Sequence, residues 1–217
     1  MQSLPAGELS TGRHLYRFLQ DLADTSDYVS FDEPETAEDF LGTLISIREH
    51  LLSTGEIPLL HIETHGDPDG ITLLSGQSLG WHQLKGILTE INIASKLNLM
   101  VVLAACHGDN LVKTMRLTDR CPMWGSIGPQ TTMPAGDLLD SIQVFYKEFL
   151  HSSDLILAFK KLNAAVFGLG CRYSLWRAEN IFRWVYEGYM KAVSTGDSLK
   201  GCVHRRQSQG KGRIDSQ

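Results

Sequence analysis

The sequence predicts an α/β fold, a three-layer sandwich in which a mostly parallel sheet of about six strands has helices on both faces. Two observations support this. Strand-like apolar runs alternate with segments of helical period along the chain, the order typical of α/β domains. The runs at 57–65 and 98–105 are almost continuously apolar, as in strands that are covered on both faces.

The first half of the chain is predicted to form three helices, two strands and a hairpin. Helices are expected at 13–24, 37–52 and 82–97, strands at 28–34 and 57–65, and a hairpin from 71–76 and 77–81. Ser10, Thr11 and Gly12 can cap the first helix and Thr36 the second, because hydroxyl side chains accept hydrogen bonds from free backbone N–H groups. Gly55 can end the second helix in a left-handed conformation.

The second half is predicted to add two strands and four helices. Strands are expected at 98–105 and 122–128, and helices at 110–117, 138–150, 155–168 and 174–193. Asp137 and Asp154 are the expected caps of two of these helices. The last helix carries an aromatic stripe that we interpret as packing on the sheet, with a partner surface as the alternative: Trp176, Phe182, Trp184, Val185 and Tyr189.

Length and composition predict one domain over 1–200 and a basic, disordered tail over 201–217. The net charge of −5 gives no indication of nucleic-acid binding. No run approaches the roughly 18–20 apolar residues of a membrane span, and residues 1–12 lack the features of a signal peptide. Four scattered cysteines without a C-x-x-C pair favour a reducing, cytoplasmic location.

Two apolar runs end in residues that form a nucleophile–base couple. The run at 57–65 ends at His65-Gly66, and the run at 98–105 ends at Cys106, with Gly108 two positions later. The carboxyl ends of parallel strands meet at one edge of a sheet, where ligands bind. Either residue alone is weak evidence, but the repetition in consecutive strand–helix units predicts that they act together.

A cysteine and a histidine at one edge are suited to acyl transfer. An imidazole favours the nucleophilic thiolate and can later protonate a leaving amine. The reaction also needs hydrogen-bond donors for the oxyanion, and the backbone N–H groups of Gly66 and Cys106 are the candidates. We therefore predict His65 and Cys106 as catalytic residues.

No metal or cofactor is predicted. His61 and His65 lie about 13 Å apart along a strand at 3.3 Å per residue, too far to bind one ion together. His61 is expected to face the core, and Cys121, Cys171 and Cys202 are interpreted as structural thiols. Several other side chains are candidates for a substrate pocket, with solvation or packing as the alternative role: Asp67, Asp69, Asp109, Trp124 and Ser126.

These motifs resemble the caspase-like cysteine peptidases, in particular the bacterial CHAT-type members. The resemblance is carried by His65-Gly66, by the run from Ala104 to Gly108, and by 121–163, which contains "FYKEFL" and "AFKKLN" in the family's F-Y-x-x-x-L and A-x-x-x-L-N patterns. It covers about 36–165. The caspase signature itself differs, with the histidine about 50 residues upstream, whereas His65 precedes Cys106 by 41 positions.

The resemblance implies a cytoplasmic cysteine endopeptidase with a protein or peptide substrate and an activating or regulatory protein partner. It further implies regulated proteolysis in bacterial defence or cell death.

Members that cleave after Arg or Lys often carry an acid two positions before the cysteine, where this chain has Ala104. The family's first central strand precedes its first helix, and only 1–9 are available for it here. The alternatives are a catalytically silent caspase-like scaffold and a cysteine-dependent hydrolase of small-molecule amides.

Overall fold

The computed structural model describes residues 1–5, 7–22 and 28–195, and the predicted tail at 201–217 lies outside these ranges. Its strands are β1 (Gln2–Ser3), β2 (Leu59–Gly66), β3 (Gly70–Thr72), β4 (Ser78–Gly80), β5 (Met100–Ala104), β6 (Gly125–Pro129) and β7 (Tyr173–Arg177). Its α-helices are α1 (Thr11–Leu22), α2 (Ala37–Thr54), α3 (Trp81–Ala94), α4 (Ala135–Ser152), α5 (Leu155–Ala165) and α6 (Ala178–Thr195), and a 3-10 helix covers Gly108–Thr114. The predicted α/β class is confirmed.

The strands form one sheet that is parallel in its centre and antiparallel at both edges. The order is β4-β3-β2-β5-β6-β7, and β1 pairs with β2 on the side of β3. The β1–β2, β2–β5 and β5–β6 pairs are parallel, so the carboxyl ends of β2, β5 and β6 lie at the same edge. The hairpin β3–β4 and the strand β7 complete the two outer edges.

Two separate hydrophobic clusters cover the two faces of the sheet. Successive side chains of β5 alternate between them: Val101 and Leu103 pack with α2 and α3, whereas Met100, Val102 and Ala104 pack with α1, α4 and α5. This alternation explains why β5 is apolar throughout. None of the described helices contains a segment that is long and apolar enough to cross a membrane.

Local capping fixes several helices as the sequence predicts. Thr36 and Asp39 form a capping box at the start of α2, and Gly55 ends that helix with φ 78°. The carboxylate of Asp154 accepts the backbone N–H groups of Ile156 and Leu157 at 2.9 Å. At α4 the prediction is displaced, because the helix begins at Ala135 and Asp137 lies in its first turn.

The start of the chain forms a short strand that also caps α1. β1 spans two residues and pairs in parallel with Glu63 and Thr64 of β2. The Gln2 side-chain carbonyl accepts the backbone N–H groups of Gly12 and Arg13, at 2.8 and 3.3 Å. Gln2 therefore caps α1, the role that the sequence had assigned to Ser10–Gly12.

Two predicted elements are wrong. The segment 28–34 is not a strand: the Asp32 carbonyl accepts the Gln2 N–H and the Pro34 carbonyl accepts the Ser3 hydroxyl, but no strand ladder is formed there. The segment 174–193 is not one helix, because its first residues form β7 against β6 and the helix begins at Ala178. Trp176 of the predicted stripe consequently lies on a strand, while Phe182 and Val185 pack on the core and Trp184 and Tyr189 are exposed.

Candidate functional site

The register of the parallel strands brings His65 and Cys106 to the same place. The last paired residues of β2 and β5 are Glu63 and Ala104. His65, still within β2, and Cys106, after the end of β5, each come two positions later in the chain, so both lie just beyond the paired part of the two strands. His65 is still held on its other side, where it pairs with Thr72 of β3.

Gly66 lies against the backbone of Cys106. A Cβ atom added to Gly66 would meet the Cys106 carbonyl oxygen at 2.2 Å and the Ala105 Cβ at 3.1 Å. Gly66 does not have a positive φ, so the position requires glycine for space rather than for backbone conformation. The end of β2 and the turn after β5 are therefore in direct backbone contact.

The N–H of Gly66 points away from β3. The N–H of Asp67 donates to the Gly70 carbonyl at 3.0 Å, which makes Asp67 and Gly70 a hydrogen-bonded pair of the hairpin. Hydrogen-bonded and non-bonded pairs alternate along an antiparallel ladder, so Gly66 and its partner Ile71 form a non-bonded pair. The Gly66 N–H consequently faces the side of β2 on which β5 and Cys106 lie, as an oxyanion donor requires.

Cys106 occupies a tight turn with an uncommon backbone. The Gly108 N–H donates to the Ala105 carbonyl at 3.0 Å, so Cys106 and His107 are the central residues of a four-residue turn. His107 has φ 59° and ψ 22°, in the left-handed region that non-glycine residues rarely adopt. Such conformations cluster at functional sites, where the surrounding structure enforces them. The Cys106 side chain is half-buried.

The close packing of the 3-10 helix against β5 and β6 depends on two glycines. A Cβ on Gly108 would lie 3.0 Å from the Leu103 carbonyl oxygen, and one on Gly128 would lie 3.0 Å from the Gly108 carbonyl carbon. Neither position leaves room for a side chain without displacing backbone. The 3-10 helix, which follows the Cys106 turn directly, therefore packs against the backbone of β5 and β6.

The imidazole of His65 contacts a residue that the sequence analysis missed. Its Nε2 lies 2.9 and 3.1 Å from the two carboxylate oxygens of Glu8, which precedes α1. Both side chains are about half exposed, 48% for His65 and 45% for Glu8. Among the hydrogen bonds of the described ranges, none joins His65 to Cys106. Of the two ring nitrogens, it is Nε2 that contacts Glu8.

The turn after His65 is stabilised by hydrogen bonds, both within the turn and to neighbouring helices. The Asp67 carboxylate accepts the N–H groups of Asp69 and Gly70 at 2.7 and 2.9 Å, an Asx turn within the hairpin. The Trp81 indole donates to the Asp67 carbonyl at 3.2 Å. The Asn110 amide, on the 3-10 helix, donates to the Pro68 carbonyl at 3.4 Å. Asp67 therefore lies beside the candidate site, and its carboxylate stabilises the local turn.

Asp109 follows Cys106 by three positions and is poorly paired. Its side chain is 14% exposed, and its Oδ1 is buried with no hydrogen-bond partner. The Lys113 Nζ lies 3.7 Å from the other oxygen. Burial raises the pKa of this carboxyl, while Lys113 and His107 oppose the shift. A pocket role for Asp109 remains a prediction.

We expect Asp109→Asn to raise the free energy of unfolding by about 1 kcal/mol at pH 7, because a neutral amide costs less to bury than a poorly paired carboxylate. Since the pKa is raised in the folded state, the carboxylate destabilises the fold above that pKa. The difference should vanish below about pH 3.9, where the acid is protonated in both states. Urea denaturation at pH 7 and pH 3.5 measures both values. Asp140→Asn, at an exposed position of α4, is the control, and a less stable Asp109→Asn variant at pH 7 would contradict the prediction.

The structure corrects the assignment of Trp124 and Ser126 to a substrate pocket. Trp124 precedes β6, and its N–H donates to the Leu99 carbonyl at 2.8 Å, which places it at the amino end of β5. Ser126 lies within β6 opposite Val101 and is 4% exposed. The edge that carries Cys106 is instead reached by residues that follow Pro129, where β6 ends.

Other predicted residues have structural surroundings. His61 faces the core as expected, with its side chain 11% exposed, and its Nδ1 lies 3.1 Å from the Tyr146 hydroxyl. Burial lowers the pKa of His61, although Glu63 opposes the shift. Cys171 is buried, and burial raises the pKa of Cys121, whose thiol donates to the Met123 carbonyl at 2.9 Å. Cys202 lies outside the described residues.

The two helix patterns that carried the family resemblance also have packing roles. Phe145 and Tyr146 of α4 are buried, as are Ala158 and Leu162 of α5. Asn163 accepts the N–H of Tyr173 at 2.9 Å and so fixes the start of β7. These positions support the sheet without contributing chemistry to the candidate site.

No protein-family model matches the chain, and a search of curated proteins finds no match either.

Proposed function

We propose that the chain is a cysteine endopeptidase in which Cys106 is the nucleophile and His65 the general acid and base. The single observation that carries the proposal is the β2–β5 register, which puts both residues two positions beyond the last paired residues of adjacent parallel strands. The contact of Gly66 with the Cys106 backbone supports it further. The N–H groups of Gly66 and Cys106 are the proposed oxyanion donors, and the Gly66 N–H faces the side of β2 on which Cys106 lies.

The proposed reaction proceeds through an acyl-enzyme. His65 takes the thiol proton, and the Cys106 sulfur attacks the peptide carbonyl carbon while the carbonyl π electrons move onto oxygen. When the tetrahedral intermediate collapses, the C–N bond breaks and the imidazolium gives its proton to the leaving amine. A water molecule then loses a proton to His65 and attacks the thioester. Collapse of the second intermediate breaks the C–S bond and releases the acid, and the imidazolium of His65 returns its proton to sulfur.

The substrate class and the biological role follow from the resemblance to CHAT-type peptidases. We propose a protein or peptide substrate, control by an activating or regulatory protein partner, and a role in regulated proteolysis such as bacterial defence or cell death. This part of the proposal is by analogy, since one fold carries many functions.

A peptide-library cleavage profile tests the proposal. Cys106→Ala should abolish all cleavage and all labelling by peptide probes with a thiol-reactive group, because the other described thiol near this edge, that of Cys171 before β7, is buried. Cys121→Ala is the matched control and should cleave like the wild type, since Cys121 lies in the loop before β6 and bonds the Met123 carbonyl. Unchanged cleavage by Cys106→Ala would refute the assignment. Labelling by small thiol reagents but by no peptide probe would indicate a small-molecule hydrolase instead.

A further inference from the structure

Glu8 contacts the imidazole of the candidate general base. Both carboxylate oxygens lie within hydrogen-bond distance of the same nitrogen, His65 Nε2, at 2.9 and 3.1 Å. Glu8 lies 57 positions before His65 in the chain. The contact therefore depends on the folded arrangement of the loop before α1 and the end of β2.

Hydrogen bonds fix the loop on both sides of Glu8. On one side the Glu8 N–H donates to the Pro5 carbonyl at 3.2 Å. On the other side Gln2 of β1 donates from its Nε2 to the Ser10 hydroxyl at 2.9 Å and caps α1 with its Oε1. Because β1 is itself paired with β2, the strand that bears His65 also holds the loop that presents Glu8.

The position of Glu8 suits a partner of the imidazole. A carboxylate on Nε2 holds the proton on that nitrogen, so Nδ1 is left to exchange a proton with a thiol. The carboxylate also stabilises the positive charge that the ring acquires when it takes the thiol proton. The Cys106 backbone lies against Gly66, the residue after His65, so the thiol belongs to the same end of β2.

We infer that Glu8 is a positioning residue that orients His65 and stabilises its charged form during proton exchange with Cys106. The inference rests on the proposed function for its chemical meaning. A purely structural role is a poor explanation of the contact, because a polar contact between two half-exposed side chains contributes little to stability. Glu8 is not a catalytic residue in this scheme, since it acts only through His65.

Alkylation of Cys106 tests the inference without any substrate. Wild type, Glu8→Gln, Glu8→Ala and His65→Ala are treated with iodoacetamide at pH 7, and peptide mass spectrometry measures the modification rate of Cys106 relative to that of Cys121 in the same molecules. We expect Glu8→Ala to slow the relative rate about tenfold, by analogy with the low end of the effect of removing a residue that orients a metal-binding histidine. Glu8→Gln should be intermediate, because it keeps an acceptor but loses the charge.

Glu56→Gln is the matched control. Glu56 forms the same kind of exposed pair with a histidine, 3.1 Å from Nε2 of His50, but lies before β2 at the opposite edge of the sheet. It should leave the Cys106 rate unchanged. The melting temperatures of all variants should match the wild type, since neither pair is buried.

The outcomes separate this inference from the proposed function. If Glu8→Ala equals or exceeds the wild-type rate while His65→Ala is slow, Glu8 is not a positioning residue but the dyad stands. If neither variant changes the rate, both proposals fail. If both variants are slow but the wild type cleaves no peptide, the role of Glu8 is supported and the peptidase assignment is not.

Discussion

Gly66→Ala should lower both the stability of the protein and any activity of the candidate site. The new methyl group would lie 2.2 Å from the Cys106 carbonyl oxygen, which is backbone and cannot rotate away. We expect a loss of about 2–3 kcal/mol in the free energy of unfolding, the cost of overpacking a tight contact. Separation of β2 from the Cys106 turn would also move an oxyanion donor, with an expected loss of about 10²-fold or more in kcat. Urea denaturation and peptide cleavage measure the two effects.

Gly86→Ala is the control for this substitution. Gly86 is exposed within α3, and an added Cβ would have no neighbour within 4 Å. Because alanine favours the helix over glycine, this variant should be more stable by about 0.5–1 kcal/mol and equally active. A Gly66→Ala variant of normal stability would mean that the contact between the two strand ends is loose, and the β2–β5 register would then be the remaining geometric support for a shared site.

The sequence predicts best those features that depend on residues near one another in the chain. The apolar runs of β2 and β5, the caps at Thr36 and Asp154, and the left-handed end of α2 at Gly55 are all present in the structure. Each depends on a local pattern, either continuous burial or a side chain that bonds the backbone two or three residues away. The candidate pair follows from the same principle, since two parallel strands end at a common edge.

The features that the sequence did not predict depend on contacts between distant segments. Gln2 caps α1 from a neighbouring strand, and no pattern around Ser10–Gly12 indicates that. The residues of β7 show the same helical period as the helix that follows, so the sequence predicts a helix there. Their strand conformation depends on pairing with β6, which is distant in the chain. Trp124 was assigned to the wrong edge because a boundary error of a few residues decides whether a residue precedes or follows a short strand.

The candidate site shows the same division. His65, Gly66 and Cys106 could be chosen from strand ends alone, and the structure brings their backbones together. Glu8 could not be chosen, because an acid in a short loop before the first helix has no sequence feature that connects it with β2. Only the pairing of β1 with β2 places that loop beside His65.

His65→Ala should remove activity while leaving stability almost unchanged. The imidazole is 48% exposed and packs in neither hydrophobic cluster, so we expect a change within about 0.5 kcal/mol in the free energy of unfolding. Loss of a general acid and base should lower kcat by about 10²- to 10⁴-fold. The KM for the same peptide should change little, because the imidazole acts on protons and not on binding. Steady-state kinetics and thermal denaturation measure these values.

His50→Ala is the matched control, since His50 is also exposed and paired with a glutamate, but at the end of α2. It should retain wild-type kcat and KM. The combination of full stability with lost turnover distinguishes His65 from Gly66, whose replacement should affect both. If His65→Ala kept its turnover with Cys106 still required, another group would have to accept the thiol proton. The half-buried His107, next to Cys106 in the same turn, would then be the first residue to substitute.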